Sequence, residues 1–187
     1  MKRSDPNLEV AASALRAGGV IAYPTEAVYG LGCDPDRQQA CENILNLKQR
    51  EKGMGMILIA SRIEQLEFYL IGLSEEQRAT MAATWPGPVT WLIPNNGQAP
   101  DWVTGGRNTL AVRVTDHPVA AALCDAFGSP LVSTSANPHG QPPAKTADEV
   151  ASYFPEGLAA IVDGPLGKQA KPTEIRDLIS GEIIRPA

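Results

Sequence analysis

The spacing of apolar residues along the chain predicts an alternation of helices and strands. Apolar positions at helical spacing indicate helices over residues 8–15, from about residue 36 to residue 47, and over about 119–127. Short apolar runs typical of buried strands cover residues 20–23, 56–60, 89–93, 110–114, 130–133 and 159–162. A hairpin of residues 174–179 and 182–185, turning at Ser180 and Gly181, follows near the C-terminus. This order, without repeats or a hydrophilic linker, predicts one mixed α/β domain over residues 1–187.

Capping and turn residues refine this pattern. A serine or threonine stands three residues before a glutamate or glutamine at three places where a helix can begin: Ser61 with Glu64, Ser74 with Gln77 and Thr146 with Glu149. Pro24, Gly30 and Gly32 are expected to fix a turn after the first strand. Residues 94–106 read as a loop.

Composition and charge exclude several classes of protein. The chain has 187 residues, 43% hydrophobic and 20% charged, as in ordinary globular proteins. The net charge of −5 argues against a surface that binds nucleic acid or anionic lipid throughout, although a local basic cleft remains compatible with it. No apolar run approaches the roughly 18 residues of a membrane span, and the first residues do not read as a signal peptide. We therefore expect a cytoplasmic protein that contacts no membrane.

Metal, disulfide and common nucleotide motifs are also missing from the sequence. Three cysteines form no CxxC motif and there are two histidines, so we predict neither a disulfide framework nor a protein-held metal. There is no GxxxxGK[ST], no GxGxxG after a strand and no GxSxG. His117 and His139 each read as surface-loop residues, which makes a Ser–His hydrolase a poor prediction.

Two polar segments attract attention because they follow apolar elements. Thr25 and Glu26 stand at the end of the first strand, where a ligand site and an ordinary strand exit with a capping threonine are equally compatible with the pattern. Lys48 and Arg50 end the second helix. The local pattern there favours a solvated cationic cap that complements the helix dipole, and the alternative is a clamp for phosphate or carboxylate.

Polar groups in two further strands complete the candidate chemistry. Ser133, Ser135 and Asn137 point to one face if the strand before them persists, which favours a ligand site over a simple turn. Arg113 interrupts an apolar strand, so it either meets a carboxylate such as Asp116 or lines a ligand cleft. Arg185, near the C-terminus, is grouped with it as a second candidate arginine.

Taken in order, these segments resemble the YrdC/TsaC family of threonylcarbamoyl-AMP synthases. The matching stretches span almost the whole chain: YPTEAVYGLG at 23–32, LKQR at 47–50, WPGPVT at 85–90, LAVRVTDHP at 110–118, LVSTSAN at 131–137 and PTEIRD at 172–177. Each stretch is weak alone, and their ordered combination is specific. The resemblance implies a twisted mixed parallel/antiparallel sheet with flanking helices and an open, positively charged concave cleft.

The resemblance also implies a reaction and a set of site residues. Members join L-threonine, bicarbonate and ATP into threonylcarbamoyl-adenylate and diphosphate, and partner proteins pass the threonylcarbamoyl group to the adenosine beside the anticodon of tRNAs reading codons that begin with A. Mg2+ is implied as the counterion of ATP, without a dedicated protein cage. The family motifs fall on a catalytic set of Lys48, Arg50, Ser135 and Asn137, on substrate positions Thr25, Ser133 and Thr173, and on ATP positions Arg50, Arg113, Ser135 and Arg185.

Departures from the family pattern and competing functions stay open at this point. Residues 51–56, EKGMGM, replace a proline-containing segment of many relatives, so we expect this loop to be more mobile. Pro138 and His139 also depart from the pattern and receive no role. The alternative function is a module that binds tRNA or double-stranded RNA, or a ribosome-maturation factor, using the same basic cleft; its binding would weaken steeply with salt. A carbamoyl-transfer module of the hydrogenase-maturation kind is disfavoured by chain length.

Overall fold

The computed structural model describes residues 6–51, 53–169 and 171–187. Lys52, within the loop expected to be mobile, lies outside them. The described helices are α1 (Pro6–Arg16), α2 (Gln38–Lys48), α3 (Glu75–Ala82), α4 (Asp101–Thr104), α5 (Pro118–Phe127) and α6 (Ala147–Tyr153), with a 3-10 helix at Ile63–Leu70. Nowhere in these ranges is a helix long and apolar enough to cross a membrane.

In the described part of the chain, nine strands form one mixed sheet. They are β1 (Ile21–Pro24), β2 (Tyr29–Cys33), β3 (Ile57–Ala60), β4 (Val89–Pro94), β5 (Thr109–Val114), β6 (Leu131–Ser135), β7 (Ala160–Ile161), β8 (Glu174–Asp177) and β9 (Ile183–Arg185). Their spatial order is β7-β1-β2-β6-β3-β5-β4-β8-β9. Three neighbouring pairs are parallel, β1 with β7, β3 with β5 and β4 with β8, and the others are antiparallel. The predicted mixed α/β fold is confirmed.

The two-residue alternation of side chains in the strands divides the core between the two faces of the sheet. Ile59 and Leu131 join a cluster that includes Ala11 of α1 and Leu123 of α5. Their chain neighbours pack on the other face, with residues from α2, the 3-10 helix and α6. Helices therefore cover both faces, as a sheet with apolar side chains on both sides requires.

The predicted turn at residues 30–32 is wrong, because these residues form β2. Gly30 and Gly32 pair with β1 and with β6 in a central strand. A Cβ added at Gly32 would lie 2.7 Å from Cε1 of Tyr23 and 2.7 Å from the carbonyl oxygen of Val132. Glycine is needed here for close approach rather than for a turn.

Helix starts give two confirmed predictions and one error. Ser74 and Gln77 form both hydrogen bonds of a capping box, and the Thr146 side chain accepts a hydrogen bond from the backbone N–H of Glu149. At the predicted box after Ser61, a 3-10 helix begins with Arg62 as its cap residue and without a side-chain cap. The side chain of Gln65 accepts from the Ser61 N–H at 3.0 Å instead. The sequence pattern also missed α4, which lies inside residues 94–106, a segment predicted as a loop.

Candidate functional site

A cavity of about 500 Å3 opens on the part of the sheet that α1 and α5 leave uncovered. Ile57 of β3 and Ser133 of β6 line it, and each lies two residues from a side chain that packs under those helices, Ile59 and Leu131. The cavity therefore continues the face that these two helices cover elsewhere. Its volume is that of a site for a small molecule or cofactor.

All nine residues that the sequence singled out line this one cavity: Thr25, Lys48, Arg50, Arg113, Ser133, Ser135, Asn137, Thr173 and Arg185. They come from six separate segments of the chain, so the sheet topology brings them together. Arg107 and Glu26 also line the cavity and were not in the predicted set. Among the described residues, the lining thus combines five lysine or arginine side chains with one carboxylate, although the whole chain has a net charge of −5.

Lys48 is buried at the end of α2, where it organises the segment after β6. Its ammonium donates to the carbonyl oxygen of Ser135, to the Asn137 carbonyl oxygen at 3.0 Å and to Asn137 Oδ1 at 3.1 Å. Ser135 Oγ donates to the same Oδ1 at 2.7 Å. The interpretation of Lys48 as part of a solvated cap is therefore wrong, since its residue is only 5% exposed.

The environment of Lys48 also changes its protonation. Burial, followed by the positive charge of Arg50, lowers the pKa of Lys48 to about 8. The ammonium therefore loses its proton within a pH range in which an exposed lysine stays charged.

Arg50 reaches the cavity because the chain leaves α2 through a left-handed residue. Gln49 has φ 52° and ψ 43°, and the N–H of Arg50 donates to Leu45 at 2.9 Å. The guanidinium lies within 3.5 Å of the Gly55 carbonyl oxygen and 3.4 Å of Thr134 Oγ1. The pKa of Arg50 is lowered, first by burial and then by the charge of Arg107. Lys48 and Arg50 thus present two cations to the cavity from a rigid helix end.

The strand β6 persists through Ser135, as the alternation of its polar residues required. Ser133 is buried beside Gly30, and a Cβ added at Gly30 would lie 3.5 Å from Ser133 Oγ. Asn137 follows the strand and donates through Nδ2 to the carbonyl oxygen of Gln141 at 2.8 Å. These small side chains leave room for a ligand while the Lys48 contacts fix their positions.

Thr25 and Glu26 occupy the tight connection between β1 and β2. Thr25 donates from its N–H at 3.0 Å and from its hydroxyl at 2.6 Å to the carbonyl oxygen of Val28. A later segment lies directly over this turn, because the N–H of Gly167 donates to the Thr25 carbonyl oxygen at 2.9 Å. A Cβ at Gly167 would come within 2.7 Å of the Glu26 Cα.

Arg113 both pairs with a carboxylate and lines the cavity, which joins the two alternatives that the sequence left open. Its partner is Glu26 at 3.3 Å, not Asp116, and both side chains are at most 6% exposed. Thr115 donates to the other oxygen of Glu26 at 2.6 Å. These contacts offset part of the desolvation cost of a buried ion pair. Arg113 Nε has no hydrogen-bond partner among the described residues.

Thr173 connects the two arginines predicted on the ATP side. Arg113 Nη1 donates to Thr173 Oγ1 at 2.7 Å, and Arg185 Nη2 donates to the Thr173 carbonyl oxygen at 2.8 Å. The pKa of Arg185 is lowered by burial and by the charge of Arg113. Two guanidinium groups therefore share one end of the cavity.

The histidines and cysteines lie mostly apart from this chemistry. His117 is buried, and its side chain caps α5 by accepting from the N–H of Ala120, so its interpretation as a surface residue is wrong. His139 is exposed and lines the cavity, and its N–H donates to the Lys48 carbonyl oxygen at 2.8 Å. The three cysteines are free and buried. In the described ranges, no group of three or more His, Cys, Asp or Glu could hold a metal ion.

Arg107 is a charged cavity residue that the sequence analysis missed, and Glu26 is one that it singled out beside Thr25 without assigning it a role. Glu26 follows Thr25 in a matching motif, but its pattern does not reveal that Arg113, 87 positions away, is its partner. Arg107 lies in the segment between α4 and β5, just after a stretch that was read as a loop. An exposed arginine in such a segment has no local signal that separates a binding residue from a solvated one.

Known proteins with one shared name are similar to this chain over most of its length. Threonylcarbamoyl-AMP synthase of Cellvibrio japonicus is 53% identical over 183 residues, covering 98% of this chain and 97% of that protein. The protein of the same name from Halorhodospira halophila is 55% identical over 175 residues, covering 94% and 92%.

Solved structures have the same fold. The crystal structure of P. abyssi Sua5 complexed with L-threonine superposes with a TM-score of 0.89 at 32% identity, covering 96% of this chain. This chain spans 53% of that Sua5 chain, or about half its length. E. coli YciO has a TM-score of 0.82 at 28% identity, covering 95% of this chain and 87% of that one.

A family model shows which group these proteins form. The model Sua5_yciO_yrdC, described as telomere recombination, matches residues 13–187 of this chain. With relatives above 50% identity over nearly the full length, the assignment does not depend on the fold alone. The chain belongs to the Sua5/YciO/YrdC family.

Proposed function

We propose that this chain is a threonylcarbamoyl-AMP synthase, which condenses L-threonine, bicarbonate and ATP to threonylcarbamoyl-adenylate and diphosphate. The observation that carries the proposal is the convergence of five cationic side chains and several hydroxyl groups on one cavity. The names of relatives that are more than 50% identical favour this enzyme over the RNA-binding alternative. A Sua5 structure with L-threonine supports an amino-acid substrate.

The chemistry places several anions close together. The threonine amine attacks the carbon of bicarbonate or CO2 to give a carbamate, with loss of water in the case of bicarbonate. A carbamate oxygen then attacks the α-phosphorus of ATP, the bond between the α-phosphorus and its bridging oxygen to the β-phosphate breaks, and diphosphate leaves. Two unit charges about 4 Å apart repel by about 4 kcal/mol at an effective dielectric of 20. A cavity rich in cations offsets this repulsion and stabilises charge that develops at phosphorus.

The contacts among the cavity residues separate them into two groups with different proposed roles. Lys48 fixes the positions of Ser135 and Asn137, so these three groups and Arg50 are assigned to the reacting phosphate. No protein nucleophile is needed, because the carbamate is the nucleophile. Positioning of the reactants by fixed side chains is then the main source of catalysis.

A second group of cavity residues is assigned to the amino acid and to the remaining contacts with ATP. Thr25, Ser133 and Thr173 are all at most 8% exposed, so their hydroxyl groups are held in a largely dry environment. Arg113 and Arg185 both donate to Thr173, which places their charges within reach of the threonine carboxylate as well as of ATP.

Mg2+ enters this proposal as part of the ATP substrate. Glu26 is the one carboxylate among the described cavity residues, and it already accepts from Arg113 and Thr115. No carboxylate among the described cavity residues is therefore free, and the phosphate oxygens of ATP are the natural ligands of the ion. Partner proteins that pass the threonylcarbamoyl group to tRNA, contact with tRNA or double-stranded RNA, and a cytoplasmic location stay predictions of the sequence.

The test is diphosphate release from the purified protein with ATP, Mg2+, bicarbonate and L-threonine. We expect release only when threonine is present, and threonine-independent turnover or no turnover would contradict the function. Arg50→Ala should abolish the activity. Arg62→Ala removes an exposed arginine outside the cavity, paired with Asp125, and should keep it. Circular dichroism shows whether both variants remain folded.

A further inference from the structure

Arg107 lines the same cavity as the nine predicted residues, and no family motif in this sequence includes it. It lies on the connection between α4 and β5 and is exposed. Its side chain lies close enough to Arg50 for its charge to act on that guanidinium. It therefore belongs to the outer part of the cavity, beside the Arg50 end.

Hydrogen bonds hold the backbone on both sides of Arg107. Gly105, with φ 68°, ends α4, and its N–H donates to the Asp101 carbonyl oxygen at 2.8 Å. On the other side, the Asn108 carbonyl oxygen accepts from the N–H of Asn95 at 2.8 Å, and β5 begins at Thr109. The backbone is therefore hydrogen-bonded two residues before Arg107, at Gly105, and one residue after it, at Asn108.

Arg107 differs from the other four cations of the cavity in its contacts. Lys48, Arg50, Arg113 and Arg185 each donate to an oxygen of the protein. The Arg107 side chain makes no hydrogen bond or ion pair with any residue in the described part of the chain. It adds a like charge beside Arg50, which costs free energy until an anion binds between or over the two. Its donors are available to that anion.

We propose that Arg107 binds the diphosphate end of ATP, the β- and γ-phosphates that leave in the reaction. This inference rests on the proposed function for the identity of the phosphate chain. The Lys48 and Arg50 end holds the reacting α-phosphate, and Arg113 and Arg185 gather around Thr173. Among the described cations that line the cavity, Arg107 is the one left to meet the phosphates extending from Arg50 toward solvent. A planar guanidinium whose donors are available can donate hydrogen bonds to two phosphate oxygens at once.

Titration of the purified protein with inorganic diphosphate, without metal, tests the contact directly. Arg107→Ala should weaken diphosphate binding by about fivefold to tenfold, as expected for the loss of one partly exposed charge-assisted contact. Arg107→Lys should recover part of the loss, and Arg62→Ala, an exposed arginine outside the cavity, should leave binding unchanged. Equal affinity of the wild type and Arg107→Ala would overturn the proposal.

Ligand selectivity and salt separate a phosphate contact from a general structural effect. Arg107→Ala should weaken the binding of ATP and diphosphate but leave L-threonine binding as it is, because Arg107 forms no hydrogen bond or ion pair with the threonine positions Thr25, Ser133 and Thr173. The difference between Arg107→Ala and wild type should shrink as salt rises from 50 to 300 mM, because an exposed charge is screened over about 10 Å at 0.1 M. A loss shared equally by threonine, or one that is independent of salt, would identify a structural role and overturn the proposal.

Failure of the proposal for Arg107 and failure of the proposed synthase function can be told apart. Diphosphate binding that depends on Arg107, in a protein without threonine-dependent turnover, would support the contact and reject the synthase function. Threonine-dependent turnover with an unchanged KM for ATP and unchanged diphosphate binding in Arg107→Ala would do the reverse.

Discussion

At the scale of single residues, the contacts of Lys48 decide how the site is organised. Its ammonium is buried and donates to Ser135 and to two oxygens of Asn137, so it fixes side chains that come nearly 90 positions later in the chain. A buried lysine without a carboxylate partner costs desolvation free energy that carbonyl and amide oxygens offset only in part. The lowered pKa of this lysine is the consequence.

This pKa predicts how ATP binding depends on pH. The ammonium of Lys48, with a pKa of about 8, is lost as pH rises through that value, whereas ATP keeps its full charge. The affinity for ATP, measured by calorimetry in the absence of threonine, should therefore fall between pH 7.5 and pH 9.5, by about tenfold per unit at the alkaline end if the neutral form does not bind.

The variant Lys48→Gln provides the control for this effect. Glutamine keeps much of the side-chain volume and a donor for the same oxygens, but it does not titrate. Its affinity for ATP should be lower at pH 7.5 and nearly independent of pH. A wild-type affinity that stays constant to pH 9.5, or a Gln variant that keeps the wild-type slope, would show that Lys48 is not the titrating group.

The residues that sequence predicted best are those whose chemistry is unusual for their local structure. Ser135 and Asn137 follow an apolar strand, and Arg113 interrupts one, so a local pattern was enough to single them out. The hydrogen-bond and ion-pair partners of these residues could not be predicted in the same way. Nothing near Arg113 in the sequence indicates that Glu26 rather than Asp116 forms its ion pair, because the pairing depends on how β5 and the β1–β2 connection meet in space.

At the scale of elements, β2 shows why local patterns fail. Its sequence, YGLGC, contains two glycines, which local rules assign to turns. In the sheet they allow Tyr23 and the β6 backbone to approach closely, a requirement set by neighbours that are distant in sequence. Elements with strong local signals, such as the capping box of α3 and the apolar strands β3 and β5, were predicted within a few residues.

This packing predicts a large effect of Gly32→Ala on stability. The new methyl group would lie 2.7 Å from both the Tyr23 ring and the Val132 carbonyl oxygen, and neither can move without shifting a central strand. We expect the free energy of unfolding, measured by denaturant titration, to fall by about 1–3 kcal/mol.

Gly53→Ala is the matched control for this substitution. An added Cβ at Gly53 meets no heavy atom within 4 Å, so the same change should alter stability by less than about 0.5 kcal/mol. Equal stability of Gly32→Ala and the wild type would mean that β1 and β2 are packed less tightly than the structure indicates.

At the scale of the whole molecule, charge and topology act together. Acidic residues outnumber basic ones by 21 to 16, yet the sheet gathers five of the cations around one cavity. The net charge therefore says little about the ligand of a concave site, where local cations dominate the field. Sequence could indicate several of these cations but not their convergence, because that depends on the strand order β2-β6-β3-β5-β4-β8-β9.

The same sheet predicts that the chain unfolds as one unit, as expected of the single domain proposed for residues 1–187. Strands from Ile21 to Arg185 are hydrogen-bonded to one another without a break, and early and late segments alternate in the order. Removing β1 and β2 would expose both β6 and β7, so this part of the sheet cannot open without disturbing segments that are distant in sequence. Differential scanning calorimetry should show one transition with an enthalpy of about 130 kcal/mol near 60 °C.

The ratio of the calorimetric to the van't Hoff enthalpy makes this prediction sharp. A value near one means that all regions unfold together, whereas two independent domains would give a ratio well above one or two separate peaks. ATP should move the whole transition to higher temperature, because the cavity proposed to bind it is lined by residues of β5, β6 and the end of α2 rather than by one edge of the sheet. A peak that ATP leaves in place while another shifts would show that the cavity belongs to a separately folding part of the chain.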